Sequence, residues 1–288
     1  MYGAIIGDVA GSYLEILEVR AKKNGTKRIY QERVKILDES TKLFDENCFY
    51  TDDSILTVAV ADAALHGRNY KEKIIEYAKR EMQKQNPNPE GNFGFKDKFG
   101  AGFQEWVKTG VGGNSYGNGC AMRISAIGNL FDDSDDVIKQ ARLATVCSHN
   151  HPESIICSQA VALSVYFLRN GFTKWEIERY LKQRFDFDFS YYSLEKLRHN
   201  NIFSSRAMIT VPQAIFCFLE SHDFVSCIRN ALSIGGDTDT IACISGGLAE
   251  VYYGIPKNLI KEVDTYIPEY FKPIINEFYQ KYQKQVIY

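Results

Sequence analysis

Apolar residues recur at helical spacing along most of this 288-residue chain, and no run of useful length alternates as a half-buried strand would. That pattern argues against sheet-based architectures. It predicts helices at about 1–16, 54–66, 71–85, 121–130, 135–146, 152–170, 174–184, 206–220, 224–232, 238–253 and 269–284. In the first of these, Gly3, Gly7 and Gly11 recur at spacing four and leave a bare stripe where a second helix can approach closely. The fold expected is all-α, a single compact orthogonal multi-helix domain covering residues 1–288. Residues 86–91 (Asn-Pro-Asn-Pro-Glu-Gly) read as a break, 91–119 as irregular backbone, and 185–203 as loop-like. The polar stretch 18–47 reads as a flap or insertion.

The bulk properties narrow the function classes. A net charge of -2 offers no electrostatic footprint for nucleic acid or an anionic membrane. No apolar stretch reaches the roughly 18 residues that would span a bilayer. The first residues carry Asp8 and Glu15 and lack a basic lead, so they are not read as a signal peptide. Seven cysteines, at 48, 120, 147, 157, 217, 227 and 243, form no CxxC pair and predict reduced thiols in a cytoplasmic protein.

Chemistry concentrates in two acidic clusters, Thr51-Asp52-Asp53-Ser54 and Gly236-Asp237-Thr238-Asp239-Thr240, each just before an apolar helical run. Carboxylates and hydroxyls are hard oxygen ligands, suited to Mg²⁺ or Mn²⁺ rather than Zn²⁺. If the clusters meet, four carboxylates share one pocket. Two unit charges about 4 Å apart at an effective dielectric of about 20 repel by roughly 4 kcal/mol, so such a pocket needs cations or protons. The expectation is a dinuclear, all-oxygen catalytic centre at helix N-termini and loops. The competing reading is helix capping, for which one acid at each start would suffice. A third reading, the DxDxT nucleophile loop of a phosphatase, fits poorly, because that loop follows an N-terminal strand.

Three further motifs need an account. Gly117-Asn118-Gly119 opens a helix, where exposed N–H groups suit an anion such as phosphate, and Tyr116 beside it can stack on a base. His149 and His151 stand between two helices with no third nitrogen or sulfur ligand at suitable nearby spacing, so they read as substrate contacts or as a structural turn. The acidic run 132–136 lacks the glycine and terminal glutamate of a calcium loop and reads as a solvated cap.

As a set, these motifs resemble the ADP-ribosylglycohydrolase family, which includes the dinitrogenase-reductase-activating glycohydrolases and the animal ADP-ribosylhydrolases. The resemblance runs from Gly3 to about Pro256. It rests on Gly7-Asp8…Gly11-Ser12…Glu15, Thr51-Asp52-Asp53, Gly117-Asn118-Gly119…Met122-Arg123, His149…His151-Pro152 and Gly235-Gly236-Asp237-Thr238-Asp239-Thr240, in that order. It implies an all-α fold holding two divalent cations, Mg²⁺ or Mn²⁺, with Thr51, Asp52, Asp53, Asp237, Asp239 and Thr240 as ligands. It implies that Glu15 is the family's flap glutamate and that Ser115, Tyr116, Gly117, Asn118 and Gly119 hold phosphate and adenosine. Met122, Ser148, His149, His151 and Gly236 are expected at the substrate. Ser148 stands where the family often has threonine, Ala126 where it often has proline, and the 18–47 segment is long.

The activity implied is hydrolysis at C1″ of ADP-ribose, through an oxocarbenium-like state. Asp52 or Asp53 would orient or deprotonate the water, and Glu15 would contact the leaving group or a metal. The expected partner is an ADP-ribose-bearing protein or small conjugate. Nucleic acid is expected only as an ADP-ribosylated end, a membrane is not expected, and the chain is expected to be a monomer. The alternatives are a non-catalytic ADP-ribose binder or crystallin-like structural relative, and a hydrolase of another nucleotide-linked substrate.

Overall fold

The computed structural model describes residues 1–24, 29–84 and 98–282. In chain order the helices are α1 (Tyr2–Asn24), α2 (Ile29–Lys35), α3 (Asp52–His66), α4 (Tyr70–Met82), α5 (Ala101–Thr109), α6 (Ser125–Leu130), α7 (Ser134–Val146) and α8 (Pro152–Arg169). They continue with α9 (Lys174–Phe185), α10 (Leu194–Asn200), α11 (Ala207–Leu219), α12 (Phe224–Ile234), α13 (Thr238–Tyr253), α14 (Lys257–Val263) and α15 (Lys272–Tyr282). Among the described residues there is no β-strand, only two isolated bridges, Asn114 to His149 and Gly117 to Arg206. The all-α expectation holds.

The organising contact is between α1 and α13. Every residue of α13 from Thr238 to Val251 is buried. The glycine stripe explains how a second helix lies so close to it. A Cβ on Gly3 would stand 2.2 Å from the Gly246 carbonyl oxygen, and one on Gly7 would stand 2.0 Å from that of Ala242. A Cβ on Gly11 would stand 2.5 Å from the Asp239 backbone. Thr238 Oγ1 donates to the Gly11 carbonyl at 2.9 Å, tying the start of α13 to the middle of α1. Helices α8, α11 and α12 close around α13 from other sides, while α3 packs on α1 and α4. Among the described residues no helix is long and apolar enough to cross a membrane. All seven cysteines are free.

Several expectations need correction. The first helix continues past residue 16 to Asn24. Helices α2, α5, α10 and α14 lie where irregular backbone or no element was expected. Helix α2 packs on α12 and α14 on α1, partners far away in sequence that periodicity cannot see, while α5 packs on α4 and α10 on α12. The described part of 18–47, read as a flap or insertion, is anchored to the rest of the fold. Glu18 and Arg33 form a buried ion pair at 2.9 Å, and Arg33 also donates to the carbonyls of Ile234 and Arg198 at 3.0 Å each. Arg229 gathers the carbonyls of Ile36, Asp38, Glu39 and Thr41. The break read at 86–91 lies outside the described residues.

Candidate metal centre and the cavity around it

The two acidic clusters meet. Thr51 caps α3, its hydroxyl accepting from the Asp53 amide at 3.2 Å, so Asp52 and Asp53 are released from capping duty. Asp237 stands at the cap position of α13 but makes no side-chain capping bond there. It is placed by a left-handed turn at Gly235 (φ 71°) and Gly236 (φ 87°), a conformation that L side chains resist. Asp239 Oδ1 does accept from the Thr240 amide at 2.8 Å, but one such bond does not account for the other acids.

Carboxylate oxygens of Asp8, Asp53 and Asp239 lie within 4.8 Å of one another, and so do those of Glu15, Asp237 and Asp239. Asp239 belongs to both groups. Asp8, buried in α1, was not assigned a role from the sequence. It accepts from the Thr51 amide (3.0 Å), the Thr51 hydroxyl (2.6 Å), the Ser54 amide (3.0 Å) and the Ser54 hydroxyl. Its signal was its place in Gly7-Asp8, on the face of the glycine stripe.

The electrostatics follow from burial and crowding. Burial, then the Asp8 carboxylate, pushes the Asp52 carboxyl up to about 8. Burial followed by neighbouring carboxylates also drives Asp53, Asp239 and Glu15 well above the ordinary range. Burial raises Asp237 as well, and Asn118 Nδ2, donating to it at 2.7 Å, opposes that rise. Asp53 Oδ1 is buried without a hydrogen-bond partner among the described residues. An orphaned acceptor oxygen, crowded acids and an all-oxygen donor set are what hard divalent cations satisfy. The residues present fit such ions.

All of these groups but Asp8 open onto one cavity of about 1110 Å³. Glu15, Thr51, Asp52, Asp53, Asp237, Asp239 and Thr240 line it, as do Ser115, Gly117, Asn118, Gly119, Met122, Ser148 and His149. Thr240 Oγ1 is 3.4 Å from Asp53 Oδ2 and 3.8 Å from Met122 Sδ. Three expected substrate residues do not line the cavity. His151 caps α8, accepting from the Glu153 amide at 3.3 Å, and meets the exposed Tyr116 ring edge-on at 5.8 Å. Gly236 serves the turn, where a Cβ would meet Asn201 Nδ2 at 2.8 Å. The glycine loop is also less open than expected. The Gly117 amide donates to Ser115 Oγ (3.0 Å) and the Asn118 amide to the Ser205 carbonyl (2.8 Å). The acidic run 132–136 is a cap, as read, with Asp133 accepting from the Asp135 and Asp136 amides.

The model of one protein family, ADP-ribosylglycohydrolase, matches residues 1–286. The chain belongs to the ADP-ribosylglycohydrolase family. It is 27% identical to the ADP-ribosylhydrolase ARH3 of Xenopus tropicalis over 90% of this chain and 88% of that protein. It is 28% identical to the ADP-ribosyl-[dinitrogen reductase] glycohydrolase of Rhodospirillum rubrum over 51% of each. In structure it is similar to an ADP-ribosylglycohydrolase-related protein complex, with a TM-score of 0.65 and 20% identity over 97% of this chain and 95% of that one, a likeness of fold.

Proposed function

We propose that residues 1–288 act as one metal-dependent hydrolase domain that cleaves the glycosidic bond at C1″ of ADP-ribose in an ADP-ribosylated protein or small conjugate. One observation carries this reading: two groups of three carboxylates share Asp239 on the wall of a large cavity. Family membership supports the substrate class, as do the names of the relatives, an ADP-ribosylhydrolase and a glycohydrolase of ADP-ribosyl-dinitrogen reductase. The cytoplasm remains the expected compartment and the monomer the expected state.

Thr51, Asp52, Asp53, Asp237, Asp239 and Thr240 would hold two Mg²⁺ or Mn²⁺ ions. Asp8 orients Thr51, and Asn118 orients Asp237. When bound, the ions supply Lewis acidity toward ribose hydroxyls and water. The half-buried Asp52 faces the cavity and takes the role of orienting the attacking water and accepting its proton. Glu15, also on the wall and next to Asp237 and Asp239, acts at the leaving-group side. The bare faces of Gly117 and Gly119 admit the diphosphate next to His149.

The deciding experiment treats the protein with a chelator and assays it with Mg²⁺ or Mn²⁺ restored. The substrates carry ADP-ribose on arginine, on serine, as an acetyl ester, as a polymer and on a nucleic-acid end. Activity should vanish on chelation and return with one of the ions. Asp239→Asn should lower the rate by at least about 10²-fold, because it removes the carboxylate common to both groups. Full activity in metal-free protein overturns the proposal.

A further inference from the structure

Beneath the glycine loop lies a buried cation that forms no ion pair among the described residues. Arg123 is fully buried, and among the described residues no carboxylate lies within ion-pair distance of it. Its Nη2 donates to the Ala144 carbonyl at 2.9 Å and to Ser148 Oγ at 2.8 Å. Among the described residues its Nε and Nη1 have no hydrogen-bond partner. A guanidinium only donates and does not lose its proton in a protein, so Ser148 Oγ must accept from Arg123.

Ser148 Oγ has one other polar neighbour among the described residues, His149 Nδ1 at 2.8 Å. The serine has a single hydroxyl proton, and the imidazole nitrogen is the acceptor within reach of it. The arginine charge also turns the hydroxyl oxygen toward itself and the proton away. Nδ1 is then the unprotonated nitrogen, and the ring proton resides on Nε2. That nitrogen faces the glycine loop. A Cβ on Gly119 would lie 3.2 Å from it and one on Gly117 3.7 Å. Burial, followed by the Arg123 charge, pushes the His149 imidazolium down to about 3, which keeps the ring neutral.

We propose that Arg123 and Ser148 are positioning residues that lock His149 as an Nε2–H donor, aimed past Gly117 and Gly119 at a phosphate or sugar oxygen of the bound ligand. The ligand half rests on the ADP-ribose reading above; the tautomer does not. His149 then takes no proton in the reaction. Its work is to donate one hydrogen bond in a fixed direction, with no rotor or tautomer left to order on binding. The polarity of the row also gives Arg123 a role that its packing alone does not, because a neutral residue there would leave the serine free to turn.

The test is side-chain ¹⁵N NMR on the full-length, ligand-free protein, with His149→Gln to assign the signals among the five histidines. The expected result is an unprotonated Nδ1 and a protonated Nε2, unchanged between about pH 5 and pH 8. In Ser148→Ala the signals should move toward a mixture of tautomers, and Ser148→Thr should restore the single form. Calorimetry with ADP-ribose should show affinity weakened about tenfold in Ser148→Ala, restored by Ser148→Thr, with metal content unchanged. An Nδ1–H tautomer in the unaltered protein overturns the proposal, as does a Ser148→Ala spectrum identical to it. A normal ADP-ribose affinity in a tautomer-shifted Ser148→Ala overturns the ligand half. Failure of the unaltered protein to bind ADP-ribose instead brings down the proposed function, leaving the NMR result to decide the lock.

Discussion

Asp8 Oδ1 accepts the Thr51 hydroxyl proton at 2.6 Å, so the residue that caps α3 is oriented from α1. The same carboxylate takes the amides of Thr51 and Ser54 on its other oxygen. Asp8→Asn keeps the shape but places an amide where donors already converge. We expect Mg²⁺ or Mn²⁺ affinity to fall by about 10–100-fold, the usual effect of removing a group that orients a ligand. Titration calorimetry checks this, and an unchanged affinity would mean that Thr51 holds its direction without Asp8.

The acid cluster predicts a pH signature in metal-free protein. Asp52 has its carboxyl raised from 3.8 to about 8 by burial and Asp8, and Asp53, Asp239 and Glu15 are raised too. A group whose pKa is raised on folding gives stability that is complete below about pH 4 and lost as pH climbs through about 8. The gap in Tm between metal-loaded and chelated protein should therefore widen from about pH 5 to pH 8, because the ions replace the protons. Thermal unfolding at matched ionic strength reads it. A gap that narrows over this range would contradict the assignment.

Gly119→Val tests the loop against the metal centre. Its Cβ would fall 3.2 Å from His149 Nε2, and the branched side chain would fill the space before it. ADP-ribose affinity should drop by at least about tenfold with metal binding intact. Equal affinity in calorimetry would reduce the loop to a turn.

Glu15→Gln separates the leaving-group role from metal binding. Turnover should fall by about 10²–10⁴-fold, the range for loss of a general acid or base, and ADP-ribose affinity by less than about tenfold. Loss of one bound ion, counted by elemental analysis, would make Glu15 chiefly a ligand.

Gly7→Ala probes the helix contact that carries the site. The added carbon would meet the Ala242 carbonyl oxygen at 2.0 Å, and a backbone atom cannot rotate away. Stability should fall by about 3 kcal/mol, the upper end of ordinary overpacking costs. Denaturant unfolding that shows less than about 1 kcal/mol of loss would mean that α1 shifts freely on α13.

The sequence determined the helical class, the close-packing glycine face and the two acidic segments at helix starts. Each of these is local: a period, a spacing of four, or acids next to a helix start. Those signals survive without knowing what packs on what. The tertiary structure decided which acids escape capping, because Thr51 and the Gly235–Gly236 turn free them, and it brought in Asp8 from the glycine-striped first helix. It also set His151 at the start of α8 and anchored the described part of 18–47 through Glu18, Arg33 and Arg229. These outcomes depend on hydrogen bonds between residues as far as about two hundred positions apart. Whether a carboxylate caps, pairs or stays free is fixed by what stands opposite it, and only folding brings the opposite residue there.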